Sequence, residues 1–145
     1  MRPIRLHDYD YTSSGSYFVT VCTARRRQLF ASAADGQLVT TPAGELVRRV
    51  WLELPQHFDG VGLATIVVMP DHVHGILILD QSAKERPTSL STVMGSFKSA
   101  GTKLIHRYCG ITGTVWQRSF HERVLRSESE FRRIQRYIEQ NPERL

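Results

Sequence analysis

The chain has 145 residues and a mass of 16.6 kDa, with 41% hydrophobic and 23% charged side chains, which excludes a disordered tail or a fibre and fits one globular domain over 1–145. Its formal charge is +5, but residues 1–80 carry 7 basic and 8 acidic side chains whereas residues 81–145 carry 12 and 6, so the positive excess is C-terminal and favours a polyanionic partner, nucleic acid first. Cys22 and Cys109 have neither knuckle nor disulfide-framework spacing, and the chain has no membrane-length apolar run or signal-peptide core, so a reduced cytoplasmic compartment and no membrane are expected.

Tyr17-Phe-Val-Thr-Val-Cys-Thr23 is rich in β-branched and aromatic residues and reads as a strand. Thr41 offers an N-cap before Pro42, and Leu46, Val47, Val50, Trp51 and Leu54 recur at helical spacing up to Pro55, predicting an amphipathic helix of roughly 14 residues. The apolar runs Val61 to Met69 and His72 to Leu79, divided by the turn-forming Pro70-Asp71, predict an antiparallel hairpin. Asp80–Pro87 is linker-like. Leu90, Val93, Met94, Phe97, Leu104, Ile105 and Tyr108 share one face of a helix over 89–108, which contains Gly95 and Gly101. Val115 to Leu125 reads as one strand or two short ones. Ser127-Glu128-Ser129-Glu130 is a capping box, and its helix should run to about Gln140, because Asn141 precedes Pro142. The order strand, helix, strand, strand, helix, strand, helix is the split βαβ, ferredoxin-like pattern: an α+β fold on an antiparallel sheet with one helix appended.

His72 and His74 are two apart in the second hairpin strand, so both imidazoles point to one face, continued by Ile76 and Ile78 and expected to be the helix-covered one. Two neutral imidazoles on a half-buried face form a ready bidentate site for a divalent metal; the alternative is two polar residues bonded to backbone or water. On the last helix, at about 100° per residue, Phe131, Ile134 and Ile138 define the buried stripe. Tyr137 falls at its margin and shares a side with Asn141, and Arg133 stands just beyond. Such a tyrosine either packs its ring and wets its hydroxyl, or serves as a nucleophile with an amide oxygen ligand one turn later and an arginine for a phosphate.

Met69-Pro-Asp-His-Val-His-Gly75 resembles the HUH motif, two histidines around a hydrophobic residue, of single-tyrosine HUH transposases. Arg5-Leu-His-Asp-Tyr-Asp-Tyr11, Tyr17-Phe-Val-Thr-Val-Cys22, Gly95-Ser-Phe-Lys-Ser99, Trp116-Gln-Arg118 and Tyr137-Ile-Glu-Gln-Asn-Pro142 are similar to the REP-associated tyrosine transposase branch. The resemblance implies a metal-dependent endonuclease and strand-transfer enzyme for single-stranded DNA, using Mg²⁺ or Mn²⁺ and short palindromic hairpins. It matches His72 and His74 to the metal-binding histidines, Tyr137 to the nucleophile and Asn141 to a third polar metal ligand. Arg123 stands where relatives tend to carry a further histidine, and relatives continue past the Asn-Pro pair where this sequence stops at Leu145.

Free tyrosine titrates near pH 10, so a tyrosine nucleophile needs help at neutral pH, and a metal that polarises the scissile phosphate supplies part of it. The products would be a 5′-phosphotyrosine and a free 3′-hydroxyl, whose conserved bond energy makes rejoining independent of nucleoside triphosphate; no GxxxxGK[ST] loop is present. Arg25, Arg26, Arg27, Lys98, Lys103, Arg118, Arg126, Arg132, Arg133 and Arg136 are candidates for phosphate contacts, and Tyr9, Tyr11, Trp116 and Phe120 for base stacking, with Trp116 and Phe120 more readily placed in the core. The alternatives are a non-catalytic hairpin-binding module of the same fold and a small metal-dependent phosphohydrolase. The chain is expected to act as a monomer or homodimer.

Overall fold

The computed structural model describes residues 15–80 and 88–140. Its elements in chain order are β1 (Gly15–Cys22), β2 (Ala31–Ala34), β3 (Gln37–Thr40), α1 (Pro42–Leu52), α2 (Leu54–His57), β4 (Val61–Val68), β5 (His72–Leu79), α3 (Leu90–Tyr108), β6 (His121–Leu125) and α4 (Glu128–Gln140). The main sheet runs β4-β5-β1-β6 with every neighbouring pair antiparallel. With the β2–β3 hairpin set aside, this is the expected split βαβ arrangement, in which the central strands β5 and β1 come from different halves of the chain.

Both faces of the sheet are covered, because both alternating sets of side chains are largely apolar. Tyr17, Val19 and Val21 of β1 and Val73, Leu77 and Leu79 of β5 join Val47, Trp51, Val93, Met94, Phe97 and Ile105 of α1 and α3 in the larger core. The opposite face packs Phe18, Val67, Ile76 and Leu125 against Phe131, Ile134 and Ile138 of α4. The histidine face is therefore helix-covered, but by α4 alone. The two-helix layer lies on the other side, which strand periodicity cannot reveal, because it separates the two faces without saying what covers each.

Local boundaries follow local chemistry. Thr41 caps α1 by accepting from the Gly44 N–H, and Ser89 caps α3 by accepting from Thr92. The expected helix up to Leu54 is instead two: α1 stops at Leu52, and Pro55, which lacks an N–H to continue the ladder, sits in the first turn of α2. The β2–β3 hairpin was not foreseen, although Asp35 and Gly36, at φ 53° and 76°, are the positive-φ pair that a two-residue turn requires. Val115 to Leu125 resolves into an isolated bridge between Thr23 and Trp116 and the strand β6. The capping box is half as expected: Ser127 Oγ accepts from the Glu130 N–H at 3.1 Å, but Glu130 Oε1 takes the Arg126 N–H at 2.9 Å.

Candidate active site

The antiparallel register of β1 and β5 sets Cys22 opposite His72 and Thr20 opposite His74. Their Nε2 atoms converge to 3.0 Å. Each ring is held by its other nitrogen: His72 Nδ1 lies 2.7 Å from Asp71 Oδ1, and His74 Nδ1 lies 2.8 Å from Thr20 Oγ1. An ionised carboxylate only accepts, so in its neutral form His72 carries its proton on Nδ1 and offers the Nε2 lone pair. The Thr20 hydroxyl can donate or accept, which leaves His74 two tautomers. With the proton on Nε2 it donates to His72; with the proton on Nδ1 it donates to Thr20, and both Nε2 lone pairs face one point.

That point fits a metal ion. Two nitrogens each about 2.1 Å from an ion and at right angles around it are about 3.0 Å apart, which is the observed separation. The separation is thus compatible with two neighbouring ligand positions around a divalent ion. Among the described residues no third His, Cys, Asp or Glu completes a cluster, and Asn141 lies outside them, as do Tyr9 and Tyr11.

The electrostatics keep His74 unprotonated. Burial first, then the charges of His72 and Arg26, push the His74 pKa down to about 3. Burial resists ionisation of Asp71, but hydrogen bonds from Arg26 and His72 outweigh it and hold the carboxyl below its usual range. Both effects have the same sign in acid. The unfolded chain protonates His74 near its ordinary 6.5 while the fold refuses the proton until about 3, and the stability that Asp71 contributes is lost as pH falls through its lowered value. In metal-free buffer between about pH 6 and 4.5, the wild type should lose about 1 kcal/mol per pH unit more than His74→Gln in urea unfolding. Equal slopes would mean that His74 takes up its proton within the fold.

Tyr137 stands on α4, at the exposed edge of the stripe that buries Ile134 and Ile138. Its ring centroid is 6.0 Å from that of His74 and 6.3 Å from that of Phe18, which it meets nearly edge-on at 81°. The phenol ring and the imidazole pair therefore share one side of the sheet. Ile134 and Ile138 hold it there from α4, and Gln135 Nε2 adds a 3.2 Å bond to Thr65 Oγ1 of β4.

The candidate phosphate contacts divide. Arg25 is exposed, and so are Lys103, Arg118, Arg126 and Arg136. Arg26 Nε donates to Asp71 Oδ2 at 2.9 Å, and Arg27 donates to the Thr114 carbonyl at 3.1 Å. The Lys98 ammonium is partly buried on the carbonyls of Gln117 and Arg118, at 2.6 and 3.1 Å, and desolvation lowers its pKa. Arg133 lies 3.7 Å from Glu130, and Arg132 2.6 Å from Glu128. Trp116 and Phe120 are core residues, 5% and 6% exposed, and Trp116 Nε1 donates to the Lys98 carbonyl. Asp71 and Thr20 were missed as site residues: Asp71 read only as half of a turn, and nothing near Thr20 in sequence marks its pairing with a residue 54 positions away.

Relatives agree with this architecture. Over 157 aligned residues the chain is 30% identical to an uncharacterised protein of Haemophilus influenzae, covering 97% of this chain and 87% of that one. The solved structure of a REP-associated tyrosine transposase bound to a REP hairpin superposes with a TM-score of 0.69 at 24% identity, over 96% of this chain and 73% of that one. A candidate transposase from Deinococcus radiodurans R1 superposes at 0.58 and 18% identity, over 94% and 96%. Among the described residues no helix is long and apolar enough to cross a membrane. The sequence profile described as "Transposase IS200 like" matches residues 11–141, and the chain belongs to that family of transposases.

Proposed function

We propose that this transposase nicks and rejoins single-stranded DNA beside a palindromic hairpin of the REP type, with Tyr137 as nucleophile and a Mg²⁺ or Mn²⁺ ion held by His72, His74 and Asn141. The observation that carries the reading is the 6.0 Å approach of the Tyr137 and His74 rings on one side of the sheet. His72 and His74 offer imidazole nitrogens without burying charge, Asp71 and Thr20 orient them, and Ile134 and Ile138 seat the helix that carries the phenol. Bound there, the ion supplies charge neutralisation and polarisation of a non-bridging phosphate oxygen. The Tyr137 oxygen attacks phosphorus in line, the tyrosine proton is lost, a 5′-phosphotyrosine forms and the 3′-oxygen leaves as a hydroxyl. Return of a 3′-hydroxyl reverses the step and joins strands.

A basic track supports DNA as the partner. From Arg86 to His121 the sequence has no aspartate or glutamate. Part of this stretch forms an open groove lined by Thr102, Lys103, His106 and Arg118, and a neighbouring hollow is lined by Arg25, Arg27 and Thr114. A phosphate backbone can follow both without meeting a like charge. The test is to incubate a labelled hairpin oligonucleotide bearing a single-stranded flank with protein and Mn²⁺. A covalent adduct that chelation prevents and added Mn²⁺ restores is expected. Binding without an adduct would favour the non-catalytic module, and cut DNA with no protein-linked product a phosphohydrolase.

A further inference from the structure

We propose that Arg26 is a positioning residue of the metal centre, acting through Asp71, and is not a contact for DNA phosphate. The proposal rests on the metal reading of His72 and His74 given above. Four polar contacts run unbroken from the loop after β1 across the pair: Arg26 Nε to Asp71 Oδ2 at 2.9 Å, Asp71 Oδ1 to His72 Nδ1 at 2.7 Å, His72 Nε2 to His74 Nε2 at 3.0 Å, and His74 Nδ1 to Thr20 Oγ1 at 2.8 Å. The Asp71 carboxylate is bridged by its two oxygens, so the guanidinium fixes the plane in which the second oxygen meets the imidazole.

The backbone is shaped to deliver that guanidinium. Arg25 and Arg26 both lie in the left-handed region, at φ 58° and 54°, where side chains with a β-carbon are rare and persist only if their surroundings hold them. Here they are held. Thr23, fully buried, receives the chain at the turn: its N–H donates to the Asp71 carbonyl at 2.9 Å, and its hydroxyl lies 2.8 Å from the Arg27 carbonyl and 3.2 Å from that of Asp71. The Phe30 N–H closes the loop onto the Pro70 carbonyl at 3.0 Å. The loop that carries Arg26 is thus clamped to the very turn that carries Asp71. A phosphate-tracking arginine needs no such frame.

The experiment titrates Mn²⁺ into the full chain at fixed pH and reads the free ion by its EPR signal, without any reaction. Arg26→Gln should weaken Mn²⁺ binding on the order of tenfold, and Arg26→Lys by less, because a charge remains beside Asp71. In an Asp71→Asn background, Arg26→Gln should cause no further loss, the signature of a residue that acts through another. Anisotropy of a fluorescein-labelled hairpin oligonucleotide in EDTA should be the same for Arg26→Gln and wild type within about twofold. The proposal is overturned if Arg26→Gln leaves Mn²⁺ affinity intact, or if it weakens metal-free hairpin binding and reduces its salt slope by about one. A wild type that binds no Mn²⁺ removable by His74→Ala sinks the metal reading itself, and this proposal with it.

Discussion

Tyr137→Phe should leave the protein folded and able to bind a hairpin, yet unable to form any covalent product with it. The substitution removes one oxygen and keeps the ring that meets Phe18 edge-on and lies 6.0 Å from His74. Its position is 39% exposed, at the margin of the core, and losing one hydroxyl there should change stability by no more than about 1 kcal/mol. The chemistry is different. With Tyr137 as the proposed nucleophile, position 137 would have no oxygen left to take the phosphorus, and removal of a covalent nucleophile costs at least about a thousandfold in rate. Denaturing gel electrophoresis with a labelled oligonucleotide checks this directly. An adduct that persists in Tyr137→Phe would place the nucleophile on another residue. Unchanged melting temperature and hairpin affinity, measured beside it, separate loss of chemistry from loss of fold.

The parts of this site that periodicity carries were legible in the sequence. A period of two placed His72 and His74 on one face of β5, and a period of 3.6 placed Tyr137 at the edge of the Ile134 and Ile138 stripe. The family resemblance of the HUH and Tyr137 segments then joined two elements that periodicity alone leaves apart. What stayed hidden was set by pairing over distance. Thr20 reaches His74 only because β1 and β5 adopt one register, and no local pattern specifies that register. Arg26 looked like any solvated arginine, since an exposed charge and a charge bridged to a carboxylate have the same sequence signature. Lys98 was misleading for the converse reason: its ammonium caps carbonyls near Trp116 instead of facing solvent. Asp35-Gly36 carried a usable turn signal, but the strands flanking it are short, four residues each, and mostly small or polar.

The largest expected loss of stability comes from the glycine that closes the histidine motif. Gly75 follows His74 on β5 and faces the other way, into the larger core, where a β-carbon would lie 2.3 Å from Trp51 Cζ2, 2.7 Å from Cη2 and 3.0 Å from Cε2. Trp51 has nowhere to retreat: it is fully buried and its ring meets Phe97 edge-on at 5.5 Å. Gly75→Ala must therefore push the strand away from α1, and overpacking of this kind costs about 1–3 kcal/mol or more, a fall of roughly 5–10 °C in Tm for a chain of this size. The displaced strand is the one that carries both imidazoles, so Mn²⁺ binding should weaken together with stability even though no ligand has changed. Gly95→Ala is the matched control. Its β-carbon would meet nothing within 4 Å on the exposed side of α3, and replacing a helical glycine there should stabilise by about 0.5–1 kcal/mol. Trp51→Phe added to Gly75→Ala should recover part of both losses, because the smaller ring vacates the clash and removes an indole N–H that has no hydrogen-bond partner among the described residues. Gly75→Ala melting at the wild-type temperature with wild-type Mn²⁺ affinity would show that the core yields freely behind the histidines, and that the 3.0 Å approach of their nitrogens does not depend on how β5 is backed.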